Sequence, residues 1–221
     1  MSATAVETIA RERLGIAALR PDQQLALRAA VAGKDTLVVM PTGSGKSAVY
    51  QLAGEVRRGP TVVVSPLLAL QHDQVRSIEQ HDLSRAAALN STMSRRRFEA
   101  VLEEFVAGDV EFLFVSPEQL ANDHVRTRIA AAAPSLFVVD EAHCISMWGH
   151  DFRPAYLGLG EAVDRLGRPP VLALTASAAP PVRDEIVERL GMREPAIVVA
   201  SFDRPEIELT VRRFADAGSK R

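Results

Sequence analysis

Residues 136–154 read LFVVDEAHCISMWGHDFRP, an apolar run followed at once by two carboxylates. The run Leu136–Val139 does not alternate polar with apolar residues, which is typical of a strand buried on both faces of a parallel sheet. Adjacent acidic side chains at the carboxyl end of such a strand suit a magnesium–nucleotide site. This stretch therefore predicts a parallel sheet and a ligand site at one edge of it.

The composition is that of an ordinary globular protein. The 221 residues are 47% hydrophobic and 24% charged, enough for one large domain. The net charge of −2 gives no overall support to nucleic-acid binding, so such a function depends on local groups. The single cysteine, Cys144, excludes an internal disulfide and is typical of a reducing compartment. With no membrane-length apolar run and no signal pattern at the start, we expect a cytoplasmic protein.

Strand-like and helix-like segments alternate along the chain, which predicts a doubly wound α/β fold. A further strand is expected near 86–89, and helices over 6–14 and 22–31 flank a loop at 15–21. We expect one domain over residues 1–214 and a flexible tail over 215–221. The apolar runs are 36–40, 61–64, 111–115, 136–139, 171–174 and 196–199. Segments with helical spacing include 67–78, 95–106 and 182–190.

Polar residues follow most of the predicted strands. In open α/β sheets, ligands bind beyond the carboxyl ends of the strands. Five polar endings therefore predict one continuous functional edge. These endings are residues 41–47, Ser65-Pro66, Ser116-Pro117, Asp140-Glu141 and 175–177.

Residues 40–47, MPTGSGKS, have the arrangement of a phosphate-binding loop between a strand and a helix. Gly43 and Gly45 let the backbone curl so that its N–H groups face phosphate oxygens. Lys46 is expected to reach the β- and γ-phosphates, and the Ser47 hydroxyl to bind magnesium. The first position is methionine where the strict pattern has glycine. The predicted nucleotide contacts in this loop are Thr42, Gly43, Ser44, Gly45, Lys46 and Ser47.

Asp140, Glu141 and His143 complete the predicted nucleotide site. We expect Asp140 to hold the magnesium together with Ser47, and Glu141 to accept a proton from the attacking water or to orient it. His143 is expected to sense the γ-phosphate. A capped helix start is the alternative for the acidic pair, and a structural role is the alternative for His143.

Together these motifs resemble the first lobe of RecQ-family DNA helicases, within superfamily 2, from about residue 14 to 205. The stretch 140–156 is specific to that family, whereas the phosphate-binding loop is not. The resemblance implies a RecA-like lobe, whose parallel sheet has six to seven strands with helices on both faces. It also implies ATP and magnesium as cofactors and DNA as partner. The stretches that carry the resemblance are 19–23, 40–47 with Tyr50-Gln51, 64–67, 115–118, 140–156, 173–178 and 201–205.

The resemblance also implies roles for residues outside the phosphate-binding loop. Arg20 and Gln23 match the segment that reads the adenine edge, and a glutamine amide can donate and accept at once. Thr175 and Ser177 match a motif whose hydroxyls join the nucleotide site to the strand-binding side. In this chain serine stands at 177 where the family has threonine, and the hydroxyl is kept.

An aromatic-rich loop, which we define as residues 146–153, matches the family segment that couples DNA binding to hydrolysis. Trp148, His150, Phe152 and Arg153 bring rings and a guanidinium beside the nucleotide site, and such groups can stack on bases. A core position is the alternative for Trp148 taken alone.

Ser65 and Ser116 each precede proline and follow a predicted strand. Serine at the N-cap and proline at the first helical position predict a helix start at each pair. Free N–H groups there can bind DNA phosphates without any basic residue. Residues 90–92 are expected to add polar contacts. Ordinary capping and turn formation are the alternatives at all three places.

The chain departs from the family pattern at two positions. Ile16 stands where the family usually has an aromatic residue that stacks on adenine, so we expect weaker adenine affinity. Met147 replaces a glutamine in the aromatic-rich loop, so we expect a lost polar contact there.

The chain ends soon after Arg204-Pro205, where the second lobe of the family begins. That lobe supplies an arginine finger, which is worth roughly 10³–10⁵ in turnover in related enzymes. We therefore expect the 221-residue chain alone to bind nucleotide weakly, hydrolyse it poorly and unwind nothing. The sequence leaves two functions open: the motor lobe of a 3′-to-5′ DNA helicase, or a nucleotide-regulated DNA-binding module without motor activity. Residues 140–156 argue against another kind of P-loop enzyme.

Overall fold

The described strands are all parallel and form one sheet of seven strands. The computed structural model describes residues 3–81, 83–148 and 151–201. Three sets of predicted residues lie outside that part: the flexible tail 215–221, residues 202–205 of the last motif, and His150. The strands are β1 Thr36–Val39, β2 Thr61–Val64, β3 Ala86–Leu89, β4 Phe112–Val115, β5 Leu136–Val139, β6 Val171–Thr175 and β7 Ala196–Val199. Their order in the sheet is β3-β4-β2-β5-β6-β1-β7. The predicted α/β class is confirmed, and each predicted strand is present within one residue.

Helices connect the strands and cover both faces of the sheet. The two helices predicted before the sheet and the three predicted by spacing are all present, whereas the short α6, α7 and α8 carried no clear periodic signal. The helices are α1 Ala3–Leu14, α2 Pro21–Val31, α3 Lys46–Arg57, α4 Leu68–Gln80, α5 Arg95–Ala107, α6 Pro117–Leu120, α7 Asp123–Ala131, α8 Leu159–Arg165 and α9 Pro180–Arg189. Two 3₁₀ helices, Ala142–Ile145 and Pro154–Gly158, lie between β5 and α8.

Two hydrophobic clusters lie on opposite faces of the sheet, because successive strand residues point to opposite sides. Val38 and Phe114 face α1, α2, α3 and α4, whereas Leu37 and Phe137 face α5, α7, α8 and α9. Every residue of β1 to β6 is buried, which accounts for the unbroken apolar runs in the sequence. No described helix has the length and apolar character needed to span a bilayer.

The prediction of a helix start at Ser65-Pro66 is wrong. Helix α4 begins at Leu68, and the extended residue Leu67 is its N-cap. The N–H of Ser65 donates to Val115 O at 3.1 Å, so this residue continues the sheet ladder beyond β2. The matching prediction at Ser116 is confirmed, since its hydroxyl accepts from the N–H of Gln119 at 3.3 Å.

Asp35 fixes the opposite edge of the sheet, where the strands begin. Its buried carboxylate accepts from the N–H of Val171 at 2.8 Å and from the N–H of Arg193 at 2.7 Å. Arg168 completes the arrangement with an ion pair at 3.3 Å. These bonds join β1 to β6 and to the segment before β7, which holds the strands bearing the nucleotide motifs in register.

Candidate nucleotide site and the adjoining loop

The predicted site residues divide along the carboxyl edge of the sheet into two adjacent groups. The phosphate-binding loop, the acidic pair with His143, and Thr175 with Ser177 follow β1, β5 and β6, which are neighbours in the sheet, whereas Arg20 and Gln23 lie at the start of α2, before β1. The other group, Ser65, Ser116 and residues 90–92, follows β2, β4 and β3. A ligand on the first group therefore lies beside, and not on top of, a ligand on the second.

Gly43 and Gly45 give the loop between β1 and α3 its curled backbone. Their φ angles are 75° and 77°, in the left-handed region that other residues avoid. A Cβ on Gly45 would also lie 2.5 Å from the Nε2 atom of Gln23. Lys46 lies folded over its own loop, with Nζ donating to Met40 O at 3.0 Å and to Pro41 O at 3.4 Å. Burial lowers the pKa of Lys46, against the opposing effect of nearby carboxylates.

The side chains of Gln23 and Arg20, at the start of α2, hydrogen-bond to the backbone of the phosphate-binding loop. The Gln23 amide donates to Ser44 O at 3.0 Å and accepts from the N–H of Arg20 at 3.0 Å. The Arg20 guanidinium also donates to Ser44 O, at 2.6 Å. Both ends of the amide that was predicted to read adenine are thus engaged with protein. In this arrangement the two side chains position the loop against α2.

Asp140 and Glu141, which follow β5, lie in different electrostatic environments. Burial, with the adjacent Glu141 charge, raises the pKa of Asp140 to about 6. The hydrogen bond from His143 lowers the pKa of Glu141. Glu141 adopts φ 49° at the start of the first 3₁₀ helix, an unfavourable conformation for a residue with a Cβ. Glu141 makes no side-chain capping bond to the 3₁₀ helix that follows, whereas Asp140 Oδ1 accepts from the N–H of Glu141 at 3.0 Å.

His143 joins the acidic pair to the end of β6. Its Nδ1 lies 2.9 Å from Thr175 Oγ1 and 3.3 Å from Glu141 Oε2. The Cys144 sulfur, 3.9 Å from Nε2, and the Glu141 carboxylate raise the pKa of His143 to about 10. A protonated imidazole donates from Nδ1, so the Thr175 hydroxyl accepts and donates onward to Ser177 O at 3.1 Å. The predicted link between Thr175 and the nucleotide side thus has a direct geometric basis, and Ser177 takes part through its backbone.

The aromatic-rich loop exposes its rings and is tied down at its base. Trp148 is 83% exposed, which excludes the core position considered for it, and Met147 is 65% exposed. Arg153 Nη1 donates to Pro66 O at 3.2 Å, and its N–H donates to Cys144 O at 2.9 Å. Arg153, predicted to contact DNA, therefore also anchors the loop to the turn after β2. Phe152 is partly buried beside it.

Sequence reasoning missed three residues that support this loop and the acidic pair. Ser146 is fully buried; its hydroxyl donates to Glu185 Oε2 at 2.7 Å and accepts from the N–H of Trp148 at 3.2 Å. The Tyr156 hydroxyl donates to Asp140 O at 3.1 Å. Ser146 and Tyr156 lie within the motif-bearing stretch. No sequence signal points to Glu185 on α9.

The polar residues of the second group take part in local structure. The Ser116 hydroxyl caps α6, and the Asn90 side-chain oxygen accepts from both the N–H and the hydroxyl of Thr92, at 3.1 and 2.6 Å. Ser65 Oγ and Gln71 Oε1 are buried without a hydrogen-bond partner in the described part of the chain. The alternatives considered for these residues, helix capping at Ser116 and turn formation at 90–92, therefore describe their contacts.

The protein oxygens at the nucleotide group are suited to a cation that is also coordinated by the phosphates of a ligand. Within the described ranges, no group of three or more His, Cys, Asp or Glu residues has the geometry of a metal site. Magnesium usually takes one or two protein oxygens and completes its shell with water and phosphate. Ser47, at the start of α3, and Asp140, after β5, are donors of that kind.

This geometry defines a P-loop nucleotide-binding lobe, and comparison with known proteins gives its family. The model of the DEAD/DEAH box helicase family matches residues 20–186, so the chain belongs to that family.

Curated relatives agree with the resemblance to RecQ helicases. The chain is 42% identical over 206 residues to a probable ATP-dependent DNA helicase RecS of Bacillus subtilis, covering 93% of this chain and 41% of the relative. It is 38% identical over 197 residues to an ATP-dependent DNA helicase RecQ of Pasteurella multocida, covering 89% and 31%. The chain thus spans about two fifths or less of the length of these relatives.

A solved structure supports the same fold. The helicase domain of Hef from Pyrococcus furiosus matches with a TM-score of 0.61 and 25% identity, over 80% of this chain and 38% of that one.

Proposed function

We propose that the chain is the ATP-binding motor lobe of a RecQ-like DNA helicase. Joined to a second lobe, it would couple ATP hydrolysis to DNA strand separation, with the 3′-to-5′ polarity that the resemblance implies. The observation that carries this proposal is the pair of contacts from Glu141 through His143 to Thr175, an ion pair at 3.3 Å and a hydrogen bond at 2.9 Å, which links the ends of β5 and β6. We propose residues 1–214 as this lobe, residues 215–221 as a tail, and a cytoplasmic location.

In the proposed nucleotide site, the chain supplies backbone N–H groups and the Lys46 ammonium group for the phosphates, and the side chains of Arg20 and Gln23 for the adenine. The N–H groups of residues 42–45 and the start of α3 favour phosphate, because partial positive charge collects there. Lys46 would leave Met40 O and Pro41 O for the β- and γ-phosphates. Arg20 and Gln23 would exchange part of their bonds to Ser44 O for the adenine edge. A nucleotide would thus compete with contacts that the protein makes to itself.

Magnesium is the cation we propose, held by Ser47 and Asp140 with water and phosphate oxygens completing its shell. When bound, it would neutralise charge on the phosphates. A divalent cation also favours the ionised form of a neighbouring carboxyl. Asp140, whose pKa burial raises to about 6, is thus poised to become fully ionised as the cation binds.

Glu141 is the residue we propose to orient the attacking water and accept its proton. Its depressed pKa keeps it ionised at neutral pH, and the His143 imidazolium beside it fixes the direction of its carboxylate. A change at the γ-phosphate that shifts Glu141 would be felt at Thr175 through His143. The signal would then pass to the backbone of Ser177.

The proposed DNA contacts lie on the aromatic-rich loop, on the second group of strand ends and at the end of β6. Exposed Trp148 offers a stacking surface for bases, and such stacking tolerates any sequence. The loop is anchored to α9 through Ser146 and to the turn after β2 through Arg153, so movement of either element is transmitted to Trp148. The further proposed contacts are Ser65, Ser116, His150, Phe152, Thr175 and Ser177.

The test compares single-stranded DNA binding and ATP turnover in this chain and in a version extended through a second lobe. We expect the chain to bind a magnesium-bound ATP analogue, and its DNA affinity to change when the analogue is present. We expect DNA-stimulated turnover only in the extended version. Equal DNA affinity with and without the analogue, together with no stimulation after extension, would end the proposal of a motor lobe.

A further inference from the structure

Three arginines, Arg95, Arg96 and Arg97, occupy the first turn of α5, a position that is unfavourable for the helix itself. The amino-terminal end of a helix carries partial positive charge, so exposed cations there are repelled. No acidic residue in that turn compensates, and the N-cap Ser94 binds only the N–H of Arg97, at 3.3 Å. The stability of α5 therefore does not account for the cluster.

Two of the three guanidinium groups have no counterion within the described ranges. Arg97 Nη1 pairs with Glu104 Oε1 at 2.7 Å. Arg95 and Arg96 are exposed, and neither side chain makes a hydrogen bond or an ion pair to a described residue. These two side chains place a local positive charge on a protein whose net charge is −2.

The cluster lies at the far end of the carboxyl edge from the nucleotide group. Helix α5 follows the carboxyl end of β3, and the sheet order β3-β4-β2-β5 puts three strand intervals between it and Asp140. At about 4.8 Å per interval this is roughly 14 Å. Phe105 of α5 belongs to the same hydrophobic cluster as Ile145, so α5 and the base of the aromatic-rich loop cover the same face of the sheet.

The backbone that carries the arginines is fixed. Asn90 closes the turn after β3 by accepting from Thr92, and Met93 and Phe98 pack against the core on either side of the cluster. Because the backbone is already ordered, the arginine side chains are the part of this segment that loses freedom when a ligand binds.

We propose that Arg95 and Arg96 bind phosphates of the same DNA strand whose bases contact the aromatic-rich loop. The proposal rests on the proposed strand-binding function and extends it by a separate, sequence-independent contact. Guanidinium forks match phosphate oxygens in a bidentate manner. The roughly 14 Å between the ends of β3 and β5, the strands that lead into the two segments, corresponds to about four phosphates at 3.4 Å each, and to fewer in an extended single strand.

The acidic neighbours leave an open approach to the two arginines. Glu99, one turn along α5, is paired with His124 at 3.1 Å. Glu118, exposed at the start of α6, lies after the adjacent strand β4. Neither carboxylate forms an ion pair with Arg95 or Arg96 in the described part of the chain.

The experiment measures the affinity of the full chain for labelled oligothymidylate over a salt series, by fluorescence anisotropy. The test variant is Arg95→Gln/Arg96→Gln. The matched control is Arg11→Gln/Arg193→Gln, which removes the same charge from exposed positions on α1 and at the opposite edge of the sheet. We expect the test variant to bind about three- to thirty-fold more weakly and its salt slope to fall by about 1.4, or 0.7 per contact. The control is expected to match the wild type.

Two further readouts separate a binding role from a structural one. Arg95→Lys/Arg96→Lys should keep most of the salt slope, because it keeps the charge. The glutamine variant should melt at the same temperature as the wild type or higher, since cations leave the helix start. If the wild type binds DNA and the glutamine variant has the same salt slope as the wild type, this proposal alone is overturned. Absence of DNA binding by the wild type at low salt would overturn it together with the strand-binding function.

Discussion

The imidazole of His143 lies 2.9 Å from the hydroxyl of Thr175, although 32 residues separate the two in the chain. The contact joins the end of β5 to the end of β6, the strands on either side of the proposed hydrolysis site. Because His143 also forms an ion pair with Glu141, the charge of that carboxylate and the position of the Thr175 segment are linked through one imidazole. Linkage of this kind is a coupling free energy that mutation can measure.

Thr175→Val should uncouple nucleotide from DNA while leaving both sites formed. Thr175 is fully buried and valine has nearly the same shape, so the fold is retained at a cost of about 1–3 kcal/mol for the lost hydroxyl. We expect the ratio of DNA affinities with and without an ATP analogue to fall towards one. Thr175→Ser, which keeps the hydroxyl, is the control and should preserve the ratio. A ratio that valine leaves unchanged would show that the contact carries no coupling.

Trp148→Ala should weaken DNA binding without affecting stability. The side chain is 83% exposed, so its removal loses little packing and the melting temperature should not change. Stacking of one base on an aromatic ring is worth about 1–3 kcal/mol, or roughly a five- to 150-fold loss of affinity. Trp148→Phe should recover most of it. If the alanine variant melts earlier and binds DNA normally, the ring has a structural role instead.

Ser146→Ala should detach the aromatic-rich loop from α9. The hydroxyl makes two hydrogen bonds in a fully buried position, and its loss leaves the Glu185 carboxylate without this donor, at a cost of about 1–3 kcal/mol. Trp148 is the single tryptophan, so its fluorescence anisotropy reports loop mobility directly. We expect lower anisotropy in this variant and no change in Ser91→Ala, made at an exposed turn position. Equal anisotropy in both would mean that Ser146 does not hold the loop.

The strands were predictable because a strand covered on both faces must be apolar throughout. β2, β3, β5 and β7 coincide with the predicted runs, and the polar endings of the sheet follow from them. The error at Ser65 has a physical cause: a Ser-Pro pair signals a helix start locally, but Ser65 remains paired with Val115 of β4. A local signal cannot show where the ladder to a distant strand ends.

Contacts in the site between residues that are far apart in the chain could not be predicted from the sequence. Gln23 reaches Ser44 across 21 positions, and Ser146 reaches Glu185 across 39. Neither pair has a spacing that a helix or strand produces. The family resemblance predicted that Gln23 serves the nucleotide site, and its amide bonds to Arg20 and to the phosphate-binding loop.

Lys46→Ala should remove nucleotide binding and leave the fold intact. The ammonium group lies folded over the phosphate-binding loop, where it donates to Met40 O and Pro41 O. Isothermal titration with a magnesium-bound ATP analogue should show at least a ten-fold loss, of about 1.4 kcal/mol or more. Lys34→Ala, at the opposite edge of the sheet, is the matched control and should bind normally. Unchanged affinity in the Lys46 variant would place the nucleotide elsewhere.

Glu111→Gln should stabilise the protein at neutral pH but not in acid. Burial raises the pKa of this carboxyl, against the hydrogen bond from Ser84. The folded state therefore binds more protons than the unfolded state above the unfolded pKa of about 4.3, so stability falls as pH rises through the folded pKa. Glutamine removes that loss because it does not ionise. Melting curves should show a higher melting temperature for the variant at neutral pH, converging with the wild type below a pH of about 4. Glu118→Gln, at an exposed site, controls for net charge, and a gain that persists in acid would show that packing and not ionisation is responsible.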